Sequence, residues 1–243
     1  LKLTTQTLTL GGNLTLSTGG LLQTGSSSGS INGSGLIVGG AAATNIAIRV
    51  NGGSDVLTLG PTINVGSAQT GGLTKNGAGT LIIQGTNAQT GTTTVNEGTV
   101  RLSGANSRIS ATSAALVLRQ GALLEFDGTP DANAVVANLD GAGTITNINA
   151  APVTMTISGS GSAFNGVIQD GAGVVNLTKG GTTGTATLTG LSTYTGVTTI
   201  AGSTGLISTP NIANIGVASG IGRGNTGANA ASLVFSATGT GGL

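Results

Sequence analysis

Apolar and polar residues alternate along most of this chain, in short runs that glycines separate. Between residues 73 and 103 the runs 81–84, 92–95 and 99–102 are rich in β-branched residues, and each is followed by a glycine turn. Alternation with a period of two sends successive side chains to opposite faces of a strand, and glycine takes positive φ without steric cost. The pattern predicts short strands joined at glycine corners.

The same alternation gives the side chains of residues 73–103 a direction. The positions expected in the core are Leu81, Ile83 and Val95. The positions expected to face outward are Thr80, Ile82 and Thr94. The glycines expected to turn the corners are Gly77, Gly85, Gly91 and Gly98.

Residues 177–208 repeat this stretch. Gly85 corresponds to Gly190, which is 105 residues later, whereas Lys75 corresponds to Lys179, which is 104 residues later. A single extra residue in a loop explains the difference. The second copy is therefore expected to use the equivalent corners and core positions, which are Gly190, Gly196, Leu188 and Ile200.

Strand-like runs also recur through the rest of the chain, at spacings typical of a sandwich, a barrel or a solenoid. The two sheets of a sandwich lie about 10 Å apart and need large inward side chains, but this chain has 46 glycines and only 2% aromatic residues. A β-solenoid has a narrower core that small aliphatic side chains can fill. We therefore predict a parallel β-helix, with residues 209–229 as a loop that protrudes from one corner.

The expected fold class is all-β with essentially no α-helix, because no stretch shows an apolar stripe of helical period. The mean hydropathy of +0.32 argues against disorder. At about 20 to 24 residues per rung, the 243 residues form a single solenoid of roughly ten rungs. At about 4.8 Å per rung, its length would be about 50 Å.

Charge and composition exclude several classes of function. The eight basic residues are scattered singly and the net charge is +1, so nucleic acid and anionic membranes are not expected partners. No apolar run of about 18 residues is present, so no helix is expected to insert into a membrane. The chain has no histidine and no cysteine, which excludes a Ser-His-Asp triad, imidazole metal sites and disulfides within it. It does not begin with methionine, so we expect a piece of a longer protein.

Paired carboxylates are the only candidates for catalysis, because some parallel β-helices cleave polysaccharides. Glu125 and Asp127 would share one face of a strand at a spacing compatible with acid and base roles, and Asp131 could join them. However, Asp127, Asp140 and Asp170 each precede a glycine, which is a turn signal. Solvated turn residues are the favoured interpretation, and no catalytic residue is assigned.

No cofactor is expected either. The segments 33–35 and 77–79 have closely spaced glycines but lack the strand, the G-x-G-x-x-G motif and the helix of a nucleotide-binding loop. Tyr194 is the one ring that could be exposed for sugar recognition. Packing within its turn is the favoured interpretation of this residue.

The two copies resemble the autotransporter-associated beta strand repeat of large exported bacterial proteins. The residues of the first copy that match its pattern are Leu73, Lys75, Gly77, Gly79, Thr80, Leu81, Gly85, Asn87, Gly91, Thr93, Val95, Gly98 and Thr99. Gln89 stands where an aromatic residue is usual, and Tyr194 restores the aromatic in the second copy. The resemblance implies a right-handed parallel β-helix, export across the outer membrane and a C-terminal translocator barrel, which would lie beyond Leu243.

The leading hypothesis is a non-enzymatic structural segment at the cell surface or outside the cell, acting as a rod, stalk or filament subunit. Neither residues 1–5 nor residues 236–243 resemble a polar cap. Either further rungs flank this segment, or identical copies stack end to end, which makes the chain its own expected partner. The alternative is an adhesin that binds glycans or other cells through loop 209–229, and a polysaccharide-degrading enzyme is the third hypothesis.

Overall fold

The computed structural model is built of short strands that coil into a solenoid. It describes residues 1–17, 20–41, 44–60, 63–65, 70–105, 107–109, 114–128, 134–181, 184–201, 205–225 and 232–235. These residues contain 26 strands of two to six residues, and none of them lies in a helix. Every pairing between these strands is parallel, so the expected parallel β-helix with essentially no α-helix is confirmed.

The first side of the coil is a ten-stranded sheet, here called the first sheet. Its strands follow one another along the solenoid axis in chain order. They are β1 (Lys2–Leu3), β4 (Gly20–Gln23), β7 (Ile46–Val50), β10 (Leu73–Asn76), β12 (Thr93–Val95), β14 (Leu116–Leu118), β17 (Leu139–Gly141), β20 (Gly161–Phe164), β23 (Thr185–Leu188) and β25 (Leu206–Ser208).

The second side is an eight-stranded sheet, here called the second sheet. The chain enters it directly after most strands of the first sheet. Its strands are β2 (Thr7–Leu10), β5 (Ser28–Gly33), β8 (Val56–Leu59), β11 (Thr80–Ile83), β13 (Thr99–Leu102), β15 (Leu123–Phe126), β18 (Thr144–Asn147) and β21 (Val167–Asp170).

The third side is divided between two smaller sheets. The three-stranded sheet contains β3 (Leu14–Leu16), β6 (Gly35–Gly39) and β9 (Ile63–Val65). The five-stranded sheet contains β16 (Ala134–Val136), β19 (Val153–Ile157), β22 (Val175–Lys179), β24 (Thr198–Ile200) and β26 (Leu233–Phe235). Between β9 and β16 the described part of this side is irregular, with one parallel bridge that joins Thr86 to Arg108.

Strand register gives the length of each turn. Leu73 pairs with Thr93, and Thr93 pairs with Leu116, so these two rungs contain 20 and 23 residues. The second sheet is crossed eight times and the first sheet ten times. The described chain therefore makes about eight complete turns, close to the roughly ten rungs expected.

The core is a column of aliphatic side chains that runs along the axis. Equivalent inward residues stack from rung to rung because the strands pair in register. On the second sheet the stacked and buried residues are Leu57, Leu81, Val100, Leu124, Ile145 and Ile168. Each rung thus buries its apolar face against the next, which is how a solenoid with few large side chains obtains a continuous core.

Candidate functional site

The first copy of the repeat occupies two sides of the coil and the corner between them. β10 lies in the first sheet and β11 in the second sheet, with residues 77–79 at the corner. Residues 84–92 form the irregular third side and return the chain to β12. Leu81, Ile83 and Val95 have no exposed surface, whereas Thr80, Ile82 and Thr94 are partly exposed.

The second copy has the same local structure on different sides. β22 lies in the five-stranded sheet of the third side and β23 in the first sheet, and the next rung repeats this order with β24 and β25. Leu188 and Ile200 are buried, as their counterparts Ile83 and Val95 are. The repeat has therefore moved by one side of the coil between its two copies.

Both copies bury a lysine beside their corner. Lys75 Nζ donates hydrogen bonds to the carbonyl oxygens of Gly77 at 2.6 Å and Glu97 at 3.0 Å. Lys179 Nζ donates to the carbonyl oxygen of Gly180, and both side chains are fully buried. Backbone carbonyls of the turns thus solvate the two ammonium groups.

Burial disfavours the charged form of both lysines. It lowers the pKa of Lys75 to about 8, although the nearby Glu97 carboxylate raises that pKa and Arg49 lowers it further. Burial also lowers the pKa of Lys179. Alternation from Leu73 places the residue two positions later on the same inward face, so the signal was in the sequence, but an inward lysine was not predicted.

The position of the usual aromatic residue is buried in both copies. The Tyr194 hydroxyl forms a 2.6 Å hydrogen bond with Thr198 Oγ1, and Gln89 Nε2 donates to Thr93 Oγ1 at 2.9 Å. Each side chain thus reaches the threonine four residues later. Tyr194 has no exposed surface, so its candidacy as an exposed ring for sugar recognition is wrong, because the next rung covers it. Burial also raises the pKa of its hydroxyl, although the bond to Thr198 opposes this.

The predicted corner glycines have two different structural roles. Gly77 and Gly98 have φ values of +81° and +69°, which favour glycine. Positive φ does not occur at the other four predicted corners, which are Gly85, Gly91, Gly190 and Gly196. A Cβ at Gly190 would overlap the carbonyl oxygen of Gly166 in the preceding rung, and a Cβ at Gly196 would overlap that of Val175. Glycine is needed there because rungs stack closely, not because the chain turns left-handed.

The candidate catalytic carboxylates lie on the outward face of β15 and at its end. Glu125 Oε2 accepts a 2.7 Å hydrogen bond from Arg101 Nε in an ion pair with the preceding rung. Asp127 is partly exposed at the corner, and Asp131 lies outside the described residues. Glu125 and Asp127 do share a face, but the Glu125 side chain is engaged by Arg101.

Three other aspartates accept hydrogen bonds from backbone N–H groups, both within a rung and between rungs. Asp140 accepts from Ala163 N, and Asp170 accepts from Val175 N and from both the N–H and the hydroxyl of Thr195. Asp55, which was not singled out from the sequence, is buried and accepts from Gly52 N and Ser27 N. These backbone hydrogen bonds, Gly52 foremost, lower the pKa of Asp55.

The predicted loop 209–229 is only partly a protrusion. Residues 210–217 are exposed and include three large apolar side chains, which are Ile212, Ile215 and Val217. Ser219 exchanges backbone hydrogen bonds with Ser192, and Arg223 N donates to the carbonyl oxygen of Tyr194. Residues 219–224 therefore cover the second copy in place of a regular strand, and residues 226–229 lie outside the described part.

No cluster of metal-ligating side chains is assembled in the part of the chain that the structure describes. Its acidic residues form no group of three that could hold a metal ion. The same residues include no helix that is long and apolar enough to cross a membrane.

The geometry defines a parallel β-solenoid with an internal repeat. Residues 73–102 match the family model of the passenger-associated-transport-repeat. The match ends within one residue of the first copy and covers 30 of the 243 residues. Comparison with curated proteins and with solved structures found no match to this chain. The repeat and the solenoid together fit an autotransporter passenger-type β-helix repeat protein, and this repeat family suggests an exported protein displayed at the surface.

Proposed function

We propose that this chain is a non-enzymatic structural segment of an exported bacterial surface protein, in which it acts as a β-helical rod or stalk. The main support is the continuous ladder of the first sheet. Ten parallel strands are separated by nine spacings of about 4.8 Å, which gives a rigid element about 43 Å long. Its buried polar groups bind the backbone of neighbouring rungs, as Asp55 does with Ser27 N and Lys75 does with the carbonyl oxygen of Glu97.

Removal of one complete rung tests this function in the exported protein. Deletion of residues 93–115 joins Thr92 to Leu116, which lies in register one rung later. β10 can then pair with β14, and β11 with β15. The expected result is a folded protein that still reaches the surface, measured by antibody binding to an epitope tag on intact cells.

Deletion of residues 80–92 is the control, because it removes only part of a rung and places the first-sheet strand β12 directly after the corner, where a second-sheet strand belongs. We expect this variant to lose its cooperative unfolding transition and its surface display. A complete-rung deletion that folds and is displayed, but abolishes an activity on a glycan, would contradict the structural role. Unchanged hydrolysis of such a glycan by Glu125→Gln and Asp127→Asn variants would remove the carboxylate pair as its source.

End-to-end stacking of copies is the second part of the proposal. Among the described strands, β1 and β25 each have a partner on one side only in the first sheet. Leu206 of β25 and Ile212 beside it are exposed, and they line a depression of about 370 Å³. Open strand edges next to apolar surface favour association with another strand.

Sedimentation of purified protein tests the stacking. We expect assemblies whose size rises with concentration, and we expect Ile212→Asp to shift them to single rods. Ala78→Asp introduces the same charge at an exposed corner far from β25 and should leave assembly unchanged. Single rods of the unmodified chain at all concentrations would refute stacking.

Adhesion through residues 210–217 is the alternative function. The observation in its favour is that Ile212, Ile215 and Val217 are each more than half exposed. The Ile212→Asp variant separates the two possibilities. Loss of cell adherence without a change in sedimentation would favour an adhesin, whereas loss of assembly alone would favour the filament.

A further inference from the structure

Residues far apart in the sequence form one outward-facing row that crosses the strands of the first sheet, parallel to the solenoid axis. Strand register pairs Lys2 with Leu22, Leu22 with Arg49, and Arg49 with Asn76. All of these strands are parallel, so the residues stack along the solenoid axis. Lys2 and Arg49 are exposed, and Leu22 and Asn76 are partly exposed.

The row continues through two more rungs. Asn96 N donates to the carbonyl oxygen of Lys75, and Arg119 N donates to that of Val95, which are the hydrogen bonds of a parallel ladder that continues the row. Asn96 Nδ2 also donates to Asn76 Oδ1 at 2.8 Å. We call Lys2, Arg49, Asn76, Asn96 and Arg119 the basic row.

The row collects most of the exposed positive charge. Of the eight lysines and arginines, Lys75 and Lys179 are buried, Arg101 is paired with Glu125, and Arg108 is only partly exposed. The remaining four are Lys2, Arg49, Arg119 and Arg223, and all are exposed. Three of these four lie in the basic row.

No cation of the row forms an ion pair within the residues that the structure describes. The only salt bridge within the described residues joins Arg101 to Glu125, and Arg49 Nε donates to the neutral amide of Asn51. Glu97 follows Asn96 at the corner, and Asp140 lies in the neighbouring outward row, where it accepts from Ala163 N. The cations are two and three rungs apart, or roughly 10 and 14 Å at about 4.8 Å per rung.

We propose that the basic row binds a linear polysaccharide that carries carboxylate groups and lies along the solenoid axis. This goes beyond the stalk function and does not depend on it. Guanidinium groups bind carboxylates in a planar, bidentate geometry, and the asparagine amides can donate to and accept from sugar hydroxyls. A row of cations and amides along the solenoid axis complements a linear polymer, and repeated weak contacts along the polymer add up through avidity.

Nucleic acid is the other polyanion that a row of cations could bind, but the basic row lacks the aromatic side chains on which the bases of a single strand stack. Sequence-tolerant binding of single strands uses exposed aromatic rings for stacking. Tyr194 is buried, and the exposed Phe235 lies in β26 on the third side. The row therefore offers charge and amides without stacking surfaces.

Affinity electrophoresis of the purified chain in gels that contain polygalacturonate tests the proposal, with uncharged dextran and a DNA duplex as comparison polymers. We expect retardation by polygalacturonate alone, which weakens as salt rises. Arg49→Gln and Arg119→Gln should each weaken binding roughly threefold, and the double variant roughly tenfold, as expected for exposed charge pairs.

Arg223→Gln is the matched control, because it removes one exposed arginine outside the row. It should change retardation by much less than Arg119→Gln does, and unchanged unfolding transitions would show that all variants fold. The proposal is overturned if polygalacturonate does not retard the chain, if DNA retards it equally, or if Arg223→Gln weakens binding as much as Arg119→Gln.

Discussion

The two copies of the repeat, residues 73–103 and 177–208, have the same corner on different sides of the coil. The first copy turns from the first sheet into the second, and the second copy turns from the third side into the first sheet. Each has a buried lysine before the corner and a buried polar residue bonded to a threonine four positions later. The repeat therefore specifies a local unit of two sides and a corner, not a position around the axis.

The copies differ most in how they fill the interior after the corner. Tyr194 fills its site with a ring and satisfies its hydroxyl. Gln89 Nε2 donates to Thr93 and to the carbonyl oxygen of Ile109, but Gln89 Oε1 has no hydrogen-bond partner among the described residues. The second copy thus buries more apolar surface at this position. The first copy relies on polar contacts, and one buried oxygen atom lacks a hydrogen-bond partner.

Truncation of this position should give the largest difference between the copies. Tyr194→Ala removes a buried aromatic ring and should lower the free energy of unfolding by about 3–5 kcal/mol. Gln89→Ala loses two hydrogen bonds but also removes the unpaired oxygen, so we expect a loss of about 1–2 kcal/mol. Urea unfolding of both variants measures the difference, and equal losses would show that the ring does not distinguish the copies.

The corner glycines should give the next largest effect. Gly181 has a φ of +85°, and a Cβ there would overlap the carbonyl oxygen of Ser158, so Gly181→Ala should cost about 1–3 kcal/mol. Its neighbour Gly180 occupies the position of Asn76 in the first copy. Gly180→Asn should therefore change stability by less than about 0.5 kcal/mol. Thermal unfolding tests the pair, and a large cost at Gly180 would mean that the two corners are not equivalent.

Alkaline pH should affect the first copy through its lysine. Burial lowers the pKa of Lys75 from 10.5 to about 8 in the folded chain. Below pH 8 both states hold the proton, but between pH 8 and about 10 the unfolded chain holds more protons, so folding stability rises with pH. Lys75→Met should flatten this rise in unfolding experiments at pH 7, 8, 9 and 10. Lys179→Met should also reduce it, because burial lowers the pKa of Lys179.

A still higher pH should affect the second copy in the opposite direction. Burial raises the pKa of the Tyr194 hydroxyl above its ordinary value of 10.0. Above pH 10 the folded chain therefore holds a proton that the unfolded chain loses, and stability falls as pH rises. Tyr194→Phe should remove this fall and, at neutral pH, cost about 1 kcal/mol for the lost hydrogen bond. The same fall in the Phe variant would assign it to another group.

The smallest effect is expected on the outward face, where the copies have no shared chemistry. Arg101 of the first copy pairs with Glu125 across two rungs, and Arg101 is about one third exposed. Arg101→Gln should cost less than about 1 kcal/mol, and less still in high salt. A greater cost in urea unfolding would show that outward pairs, and not only the corners, hold the rungs in register.

Most of the fold followed from local pattern. Alternation of β-branched and polar residues predicted the strands, and residues such as Leu81, Ile83 and Val95 are inward because alternation and burial act on the same face. Alternation also predicts that Lys75 points inward. This prediction was not made from the sequence, because a charged residue is rarely buried. Gly196 was predicted only as a corner glycine; it does not have positive φ, and the contact that requires glycine there comes from Val175 in another rung.

The sequence by itself determined a parallel coil of short strands with glycine corners, since strand period and turn chemistry are local properties. Only the tertiary structure decided which residues of different rungs meet. Rung length varies, so distance along the chain does not reveal register, and backbone hydrogen bonds between rungs must fix it. In this register, residues 219–224 cover Tyr194, and the repeat lies one side further around the coil in its second copy. The same register aligns Lys2, Arg49 and Arg119 in one row across the first sheet.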